Sequence, residues 1–128
     1  MPVPPQPILE VFYASTCTPC RLELPVLAQV QRAGTALRIV IIGDPDRARR
    51  ELAGAAPQLS LVAVVPPHPS PRAILRDAGD TDGILPYARA VAPDRRICAS
   101  WRGILTVSRV NNMLAACAHL SAPPRRRS

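Results

Sequence analysis

The stretch FYASTCTPCRLELP, residues 12–25, places two cysteines two residues apart where an apolar run meets a helical pattern. The preceding run, Ile8–Ser15, is mostly apolar and predicts a strand that is buried on both faces. Thr16 is a suitable N-cap for a helix from about Cys17 to Ala33, and Pro25 should bend that helix. The sequence therefore predicts a strand that runs directly into a helix at a CxxC dithiol.

The rest of the chain continues this alternation of apolar strands and amphipathic helices. Further strands are predicted at Ala36–Asp44, Leu61–Val65, Tyr87–Ala92 and Ile97–Arg102. Further helices are predicted at 44–56, 72–79 and Thr106–Leu120. The order β-α-β-α-β-α-β-β-α indicates an α/β fold in which helices flank both faces of a mixed central sheet. We expect a single domain at 1–120 and a basic, disordered tail at 121–128.

Composition narrows the classes of function. The formal net charge of the 128-residue chain is +7, and all 16 basic residues are arginines, spread along it apart from Arg125–Arg127. Because they are not clustered among aromatic residues, nucleic-acid binding is not expected. No apolar run is long enough to span a bilayer, and the N-terminus lacks the pattern of a signal peptide. Two locations stay open: the cytoplasm, or an extracytoplasmic site reached through a targeting segment that has been removed.

The dithiol has a chemical rationale at this position. The unpaired N–H groups of a first helical turn stabilise a thiolate at the first cysteine, Cys17, and Cys20 lies one turn away. Three alternatives remain open. Zinc would need two further ligands, but Cys98, Cys117, His68 and His119 lack the usual paired spacing. Copper could be held by the thiolates and a histidine, and the pair could also be an inert disulfide.

Two motifs resemble a known family. The segment CTPCRLELP resembles the CxPCRxExP pattern of the TlpA/ResA/CcmG-like thioredoxin relatives of the bacterial cell envelope. The segment GILPYARAVAPDRRICASWRGILT is similar to a second, looser motif of that family, and its LPYA also looks like the methylamine-utilisation accessory branch. The resemblance covers roughly Ile8 to Leu120 and implies a thioredoxin-like fold.

The resemblance also implies roles for individual residues. Cys17 would be the attacking cysteine and Cys20 the resolving one. Pro86 would be the cis-proline beside the dithiol, so that the backbone of Leu85 can bind a substrate strand. Glu23 matches the acid of the motif and would exchange a proton with Cys20, although it could equally be a solvated surface residue.

The chain departs from the family's pattern in the turn PDRR, where the usual Asp-Gly is shortened, and at two positions close to the dithiol. Thr16 replaces the usual tryptophan before the first cysteine, which alters the surface that faces substrate. Val11 occupies the position at which cytoplasmic thioredoxins have a buried aspartate. Glu23 is then the remaining acid close to the dithiol.

The other two cysteines fall at a similar depth in the predicted fold. Cys98 lies about 16 Å along its strand from the corner at Gly103, and Cys117 lies about 16 Å along the returning helix. A Cys98–Cys117 disulfide is therefore feasible, and it would favour an oxidising compartment. The alternative is two separate buried thiols.

These observations predict a thioredoxin-like thiol–disulfide oxidoreductase that reduces protein disulfides in the bacterial cell envelope. We expect no organic cofactor and no metal, a monomer, and a membrane protein that donates electrons. Family substrates include apocytochrome thiols, which connects the prediction to cytochrome c maturation. Two other functions stay open: a copper metallochaperone or assembly factor, and a non-catalytic interaction domain.

Overall fold

A computed structural model of the protein describes residues 5–55, 63–64, 71–80 and 84–121. The strands are β1 (Ile8–Ala14), β2 (Ala36–Ile42), β3 (Ala63–Val64), β4 (Tyr87–Val91) and β5 (Ile97–Arg102). The helices are α1 (Thr18–Leu22), α2 (Leu24–Arg32), α3 (Pro45–Ala55), α4 (Pro71–Asp77) and α5 (Val107–Ser121). Most of the predicted strand at 61–65, and the predicted tail after Ser121, lie outside the described residues.

The strands form one five-stranded sheet in the order β3-β2-β1-β4-β5. β1 and β2 pair in parallel, as do β2 and β3. β4 runs antiparallel to both β1 and β5. The predicted mixed sheet is confirmed, with its early strands parallel and its last pair antiparallel. β1, whose end carries the dithiol, lies at the centre of the sheet.

Helices cover both faces of the sheet, because alternate residues of a strand point to opposite sides. One face carries a cluster in which β1 and β2 pack against α2, α3 and α5; its members include Leu9, Val11, Ile39, Leu27, Leu52 and Val110. The other face carries a smaller cluster that includes Phe12, Val40 and Tyr87, packed against Leu75 and Ala78 at α4. The prediction of helices on both faces is confirmed.

A row of three charged residues crosses the face that carries α4. Glu10 on β1 is only 5% exposed, and it pairs in register with Arg38 on β2 and Arg89 on β4. The Nε of Arg89 lies 2.6 Å from Glu10 Oε1, and the Nη1 of Arg38 lies 3.5 Å from Glu10 Oε2. Arg89 also donates to the Ala78 carbonyl at 3.0 Å, which ties the end of α4 to the sheet. A buried carboxylate thus has two cationic partners from the neighbouring strands.

The helix after the dithiol differs from its prediction. One bent helix from about Cys17 to Ala33 was expected, with the bend at Pro25, but the structure has two helices separated at Glu23. Proline has no N–H and its ring clashes with the carbonyl four residues earlier, so the first helix cannot continue through Pro25. Pro25 instead lies in the first turn of α2, where a missing N–H costs nothing.

A disulfide joins Cys98 on β5 to Cys117 on α5, with their Cα atoms 4.9 Å apart. Cys117 is 1% exposed and belongs to the cluster formed with α2 and α5. The bond therefore fastens the edge strand of the sheet to the last helix. Within the described residues, none of the helices combines the length and the apolar character that crossing a membrane requires.

Candidate active site

The dithiol lies at the turn between β1 and α1. The backbone N–H of Cys17 donates to the carbonyl of Ala14, the last residue of β1, at 3.0 Å. Cys17 is the N-cap of α1, and its Sγ accepts the backbone N–H of Cys20 at 3.2 Å. The prediction that Thr16 would be the N-cap is therefore wrong, because the sulfur of Cys17 accepts an N–H of the first helical turn and occupies the capping role itself.

The two cysteines form a disulfide, with their Cα atoms 5.3 Å apart, but their surroundings differ. Cys17 is partly exposed, whereas Cys20 is 1% exposed. The Sγ of Cys20 lies 3.9 Å from the carbonyl oxygen of Phe12, which in the dithiol form would accept a hydrogen bond from a protonated thiol. Cys17 is thus adjacent to a hydrogen-bond donor and Cys20 to an acceptor. In the dithiol form, this difference favours a thiolate at Cys17 and a thiol at Cys20.

Glu23 is buried between the two helices and the strand-to-helix corner before α5. It is 1% exposed, and its Oε1 accepts the backbone N–H of Leu105 at 2.9 Å. Burial raises the pKa of Glu23 from 4.5 to about 7, while the hydrogen bond from Leu105 opposes that rise. A solvated surface glutamate, the alternative raised by the sequence, does not fit this position. The break between α1 and α2 places the residue here.

Leu85 and Pro86 lie at the same edge of the sheet as the dithiol. Phe12 pairs with Tyr87, so the end of β1 meets the start of β4, directly after Pro86. The Leu85–Pro86 peptide bond is cis, and the Pro86 carbonyl accepts the N–H of Gly103 at 3.0 Å. Cys17 and Leu85 each pack against both hydrophobic clusters, which places them where the two faces of the sheet meet.

The remaining predicted residues separate into two locations. Thr16 is exposed beside Cys17, whereas Cys98 and Cys117 pair far along the sheet from the dithiol. Among the described residues, no group of three or more His, Cys, Asp or Glu side chains could hold a metal ion. Two groups at the site were not predicted from the sequence: the Phe12 carbonyl, which lies beside Cys20, and the Leu105 N–H, which donates to Glu23. Both belong to the backbone, so their positions follow from the folded structure and not from residue types.

The sheet order, the CxxC after the central strand and the cis-proline before the antiparallel strand define a thioredoxin-like fold with a redox-type cysteine pair. Comparisons with solved structures confirm this fold. No family model matches the chain, and no curated protein sequence matches it either.

Several solved structures share this fold, and they include a protein described as a putative thiol:disulfide interchange protein. A thioredoxin-related protein from Neisseria meningitidis superposes with a TM-score of 0.75 at 17% identity, over 91% of this chain and 88% of the other. A putative thiol:disulfide interchange protein DsbE from Chlorobium tepidum gives 0.67 at 18% identity, over 88% and 80%. StoA from Bacillus subtilis gives 0.64 at 18% identity, over 88% and 84%. At these identities the likeness establishes the fold.

Proposed function

We propose that the protein is a thiol–disulfide oxidoreductase that reduces protein disulfides in the bacterial cell envelope. One observation carries the proposal: the partly exposed Cys17 Sγ accepts the Cys20 N–H, while the bonded Cys20 is buried. An exposed sulfur that is stabilised as a thiolate, with a second thiol within bonding distance, is the arrangement that disulfide exchange requires. Fold neighbours described as interchange proteins support this class of chemistry.

The reaction proceeds in two exchanges. The Cys17 thiolate attacks one sulfur of a substrate disulfide, forms a mixed disulfide and releases the other substrate sulfur as a thiolate. Cys20 then loses its proton and attacks Cys17, which releases the second substrate sulfur. The substrate gains two electrons and becomes a dithiol, and the protein is left with the Cys17–Cys20 disulfide.

Glu23 supplies the proton transfer that the second exchange needs. Because burial brings the pKa of Glu23 to about 7, the group can accept and return a proton near neutral pH. The residue follows Cys20 by three positions, and its backbone N–H donates to the Cys20 carbonyl at 3.2 Å. No aspartate replaces it at the centre of β1, where Val11 is 1% exposed and apolar.

Substrate binds along the edge formed by Thr16, Leu85 and Pro86. Thr16 is exposed and Leu85 is half-buried beside the dithiol, so a substrate strand placed here lies against Cys17. Since proline has no N–H and its carbonyl is already bound to Gly103, the backbone of Leu85 provides the hydrogen bonds for that strand.

The envelope location rests on the second disulfide. A structural bond such as Cys98–Cys117 persists in oxidising compartments and is uncommon in the cytosol. One fold neighbour is described as a secreted thiol–disulfide isomerase from Corynebacterium glutamicum. In such a compartment the dithiol must be regenerated by a membrane protein that donates electrons, and we expect the protein to act as a monomer.

The direction of transfer is tested with the reduced protein and a protein disulfide such as that of insulin. We expect catalytic reduction when a thiol donor is present, together with a glutathione equilibrium that places the Cys17–Cys20 pair towards the reducing end of the roughly −270 to −120 mV range. A strongly oxidising pair would reverse the proposed direction. Stoichiometric Cu(I) binding without turnover would favour the copper metallochaperone instead.

The Glu23→Gln variant should change how stability depends on pH. Because the pKa of Glu23 is higher in the folded protein than in the unfolded one, its protonated carboxyl stabilises the native state. This contribution is fully present below pH 4.5 and is lost as the pH rises through about 7. The oxidised wild type should therefore lose about 3 kcal/mol relative to the variant between pH 4 and pH 8. Urea unfolding of both proteins across this range measures the difference. Parallel pH profiles would show that Glu23 is not the titrating group.

A further inference from the structure

A series of polar contacts leads from the interior of the protein to the turn that carries Cys17. Tyr13 on β1 is 1% exposed, and its hydroxyl donates to Glu51 Oε2 on α3 at 2.8 Å. The other oxygen of Glu51 lies 3.8 Å from Arg21 Nη1. Arg21 directly follows Cys20 on α1, so the contacts connect α3 to the helix that bears the dithiol.

Arg21 is held against the turn on both sides of Cys17. Its Nη1 donates to the Ser15 carbonyl at 3.5 Å, and its Nη2 donates to Thr18 Oγ1 at 3.2 Å. Since adjacent Cα atoms are about 3.8 Å apart, a guanidinium that touches residues on either side of Cys17 lies close to it. Arginine stays protonated at every physiological pH, so this position carries a permanent positive charge.

Glu51 is the carboxylate that Arg21 faces, at 3.8 Å. Its side chain is 21% exposed, and the bond from Tyr13 fixes its orientation. Burial and the carboxylate of Glu51 both raise the pKa of Tyr13, so that hydroxyl remains a donor. Glu51 also faces Arg47, one turn earlier on α3, at 3.4 Å. Arg47 has no described contact with the Cys17 turn, so it serves as a matched control for Arg21.

We infer that Arg21 is the cation that stabilises the Cys17 thiolate, and that Glu51 is the positioning residue that holds Arg21 there. The inference rests on the proposed function, and it identifies two residues that set the reactivity of Cys17. Of the charged side chains described near the turn, Arg21 contacts it directly. Glu51 is linked to the turn through its ion pair with Arg21, and Arg47 is linked to it through its own ion pair with Glu51. The Glu23 carboxylate is instead bound to Leu105.

The sign of one measurement separates positioning from simple charge. A carboxylate near a thiolate disfavours it, so removal of the Glu51 charge would by itself lower the pKa of Cys17. Loss of the positioning contact has the opposite effect, because Arg21 is released from the turn. We expect Glu51→Gln to raise the pKa of Cys17 by about half a unit, the scale for a half-exposed ion pair. Arg21→Gln should raise it by at least as much.

The pKa is measured from the pH dependence of Cys17 alkylation in the reduced protein, followed by mass spectrometry. Arg47→Gln should leave the value unchanged, and Glu51→Gln should cause no further rise in the Arg21→Gln background. Glu51→Asp keeps the charge but shortens the side chain, so it should also raise the pKa and can replace Glu51→Gln if that variant does not fold. A fall or no change with either Glu51 variant, or no rise with Arg21→Gln, would overturn the inference.

The inference and the proposed function can fail separately. If wild-type protein reduces no protein disulfide, the function is wrong whatever the pKa of Cys17. If wild-type protein is active but the Glu51 and Arg21 variants leave the pKa of Cys17 where it was, only the role of these two residues is wrong.

Discussion

Replacing Cys17 with serine should abolish disulfide exchange, whereas replacing Cys20 should stop the reaction halfway. A serine hydroxyl does not ionise near neutral pH, so Cys17→Ser has no nucleophile and steady-state turnover should fall by at least about 10³-fold. Cys20→Ser keeps the exposed sulfur and the N–H that stabilises it, because that N–H belongs to the backbone. Its first exchange should proceed, but no thiol remains to resolve the mixed disulfide.

The two variants are distinguished by what accumulates. Incubated with a peptide disulfide, the reduced Cys20→Ser protein should form a covalent adduct on Cys17 that mass spectrometry identifies, and Cys17→Ser should form none. A variant with serines at both Cys98 and Cys117 provides the matched control and should still turn over. An adduct on Cys20 in the Cys17→Ser protein would mean that the roles of the two cysteines are exchanged.

The second large effect is expected at the charged row on the sheet. Glu10→Gln removes the charge that balances Arg38 and Arg89, and it leaves Arg89, whose side chain is 22% exposed, without its ionic partner. Breaking a buried ion pair from one side commonly costs 3–5 kcal/mol. We expect about 3 kcal/mol, because Arg38 is half-exposed and water can solvate it. Urea unfolding at neutral pH measures the loss.

The chain offers a matched surface pair for this experiment. Asp94 lies 2.7 Å from Arg96, nearly the same separation as Glu10 and Arg89, but both side chains are about half exposed. Asp94→Asn should therefore change stability far less than Glu10→Gln. Equal losses in the two variants would show that burial does not set the strength of the Glu10 row.

Local sequence patterns were sufficient to predict the strands of the sheet and the position of the dithiol. The apolar runs at β1 and β2 are short, nearly continuous and bounded by polar residues, proline or glycine, so the sequence predicts each as a buried strand. The hairpin of β4 and β5 follows from the turn at Pro93-Asp94. The CxxC needs only its place between a strand and a helix. Each of these features is encoded within one short, continuous segment of the chain.

The features that the sequence could not settle depend on contacts between distant segments. The sequence left Glu23 open between an acid that acts beside Cys20 and a solvated surface residue. Its burial follows only from the break before Pro25 and from a hydrogen-bond partner 82 residues away. Glu10 is a charged residue in an otherwise apolar strand, and its burial is explained only by its pairing with Arg38 and Arg89 on the neighbouring strands. The capping sulfur of Cys17 was missed because N-cap preferences favour Thr16, a hydroxyl residue that lies one position earlier.

The bond between Cys98 and Cys117 has a consequence for how the protein matures. If Cys17 and Cys20 cycle as proposed, one oxidised pair must persist while the other opens and closes. Under uniformly reducing conditions the protein would lack the disulfide that joins α5 to β5. Under complete oxidation Cys17 and Cys20 would form a disulfide, and the protein could not reduce a substrate. Maturation therefore takes two steps. Both cysteine pairs are first oxidised, and the more accessible Cys17–Cys20 disulfide is then reduced, while Cys117 stays shielded from solvent at 1% exposure.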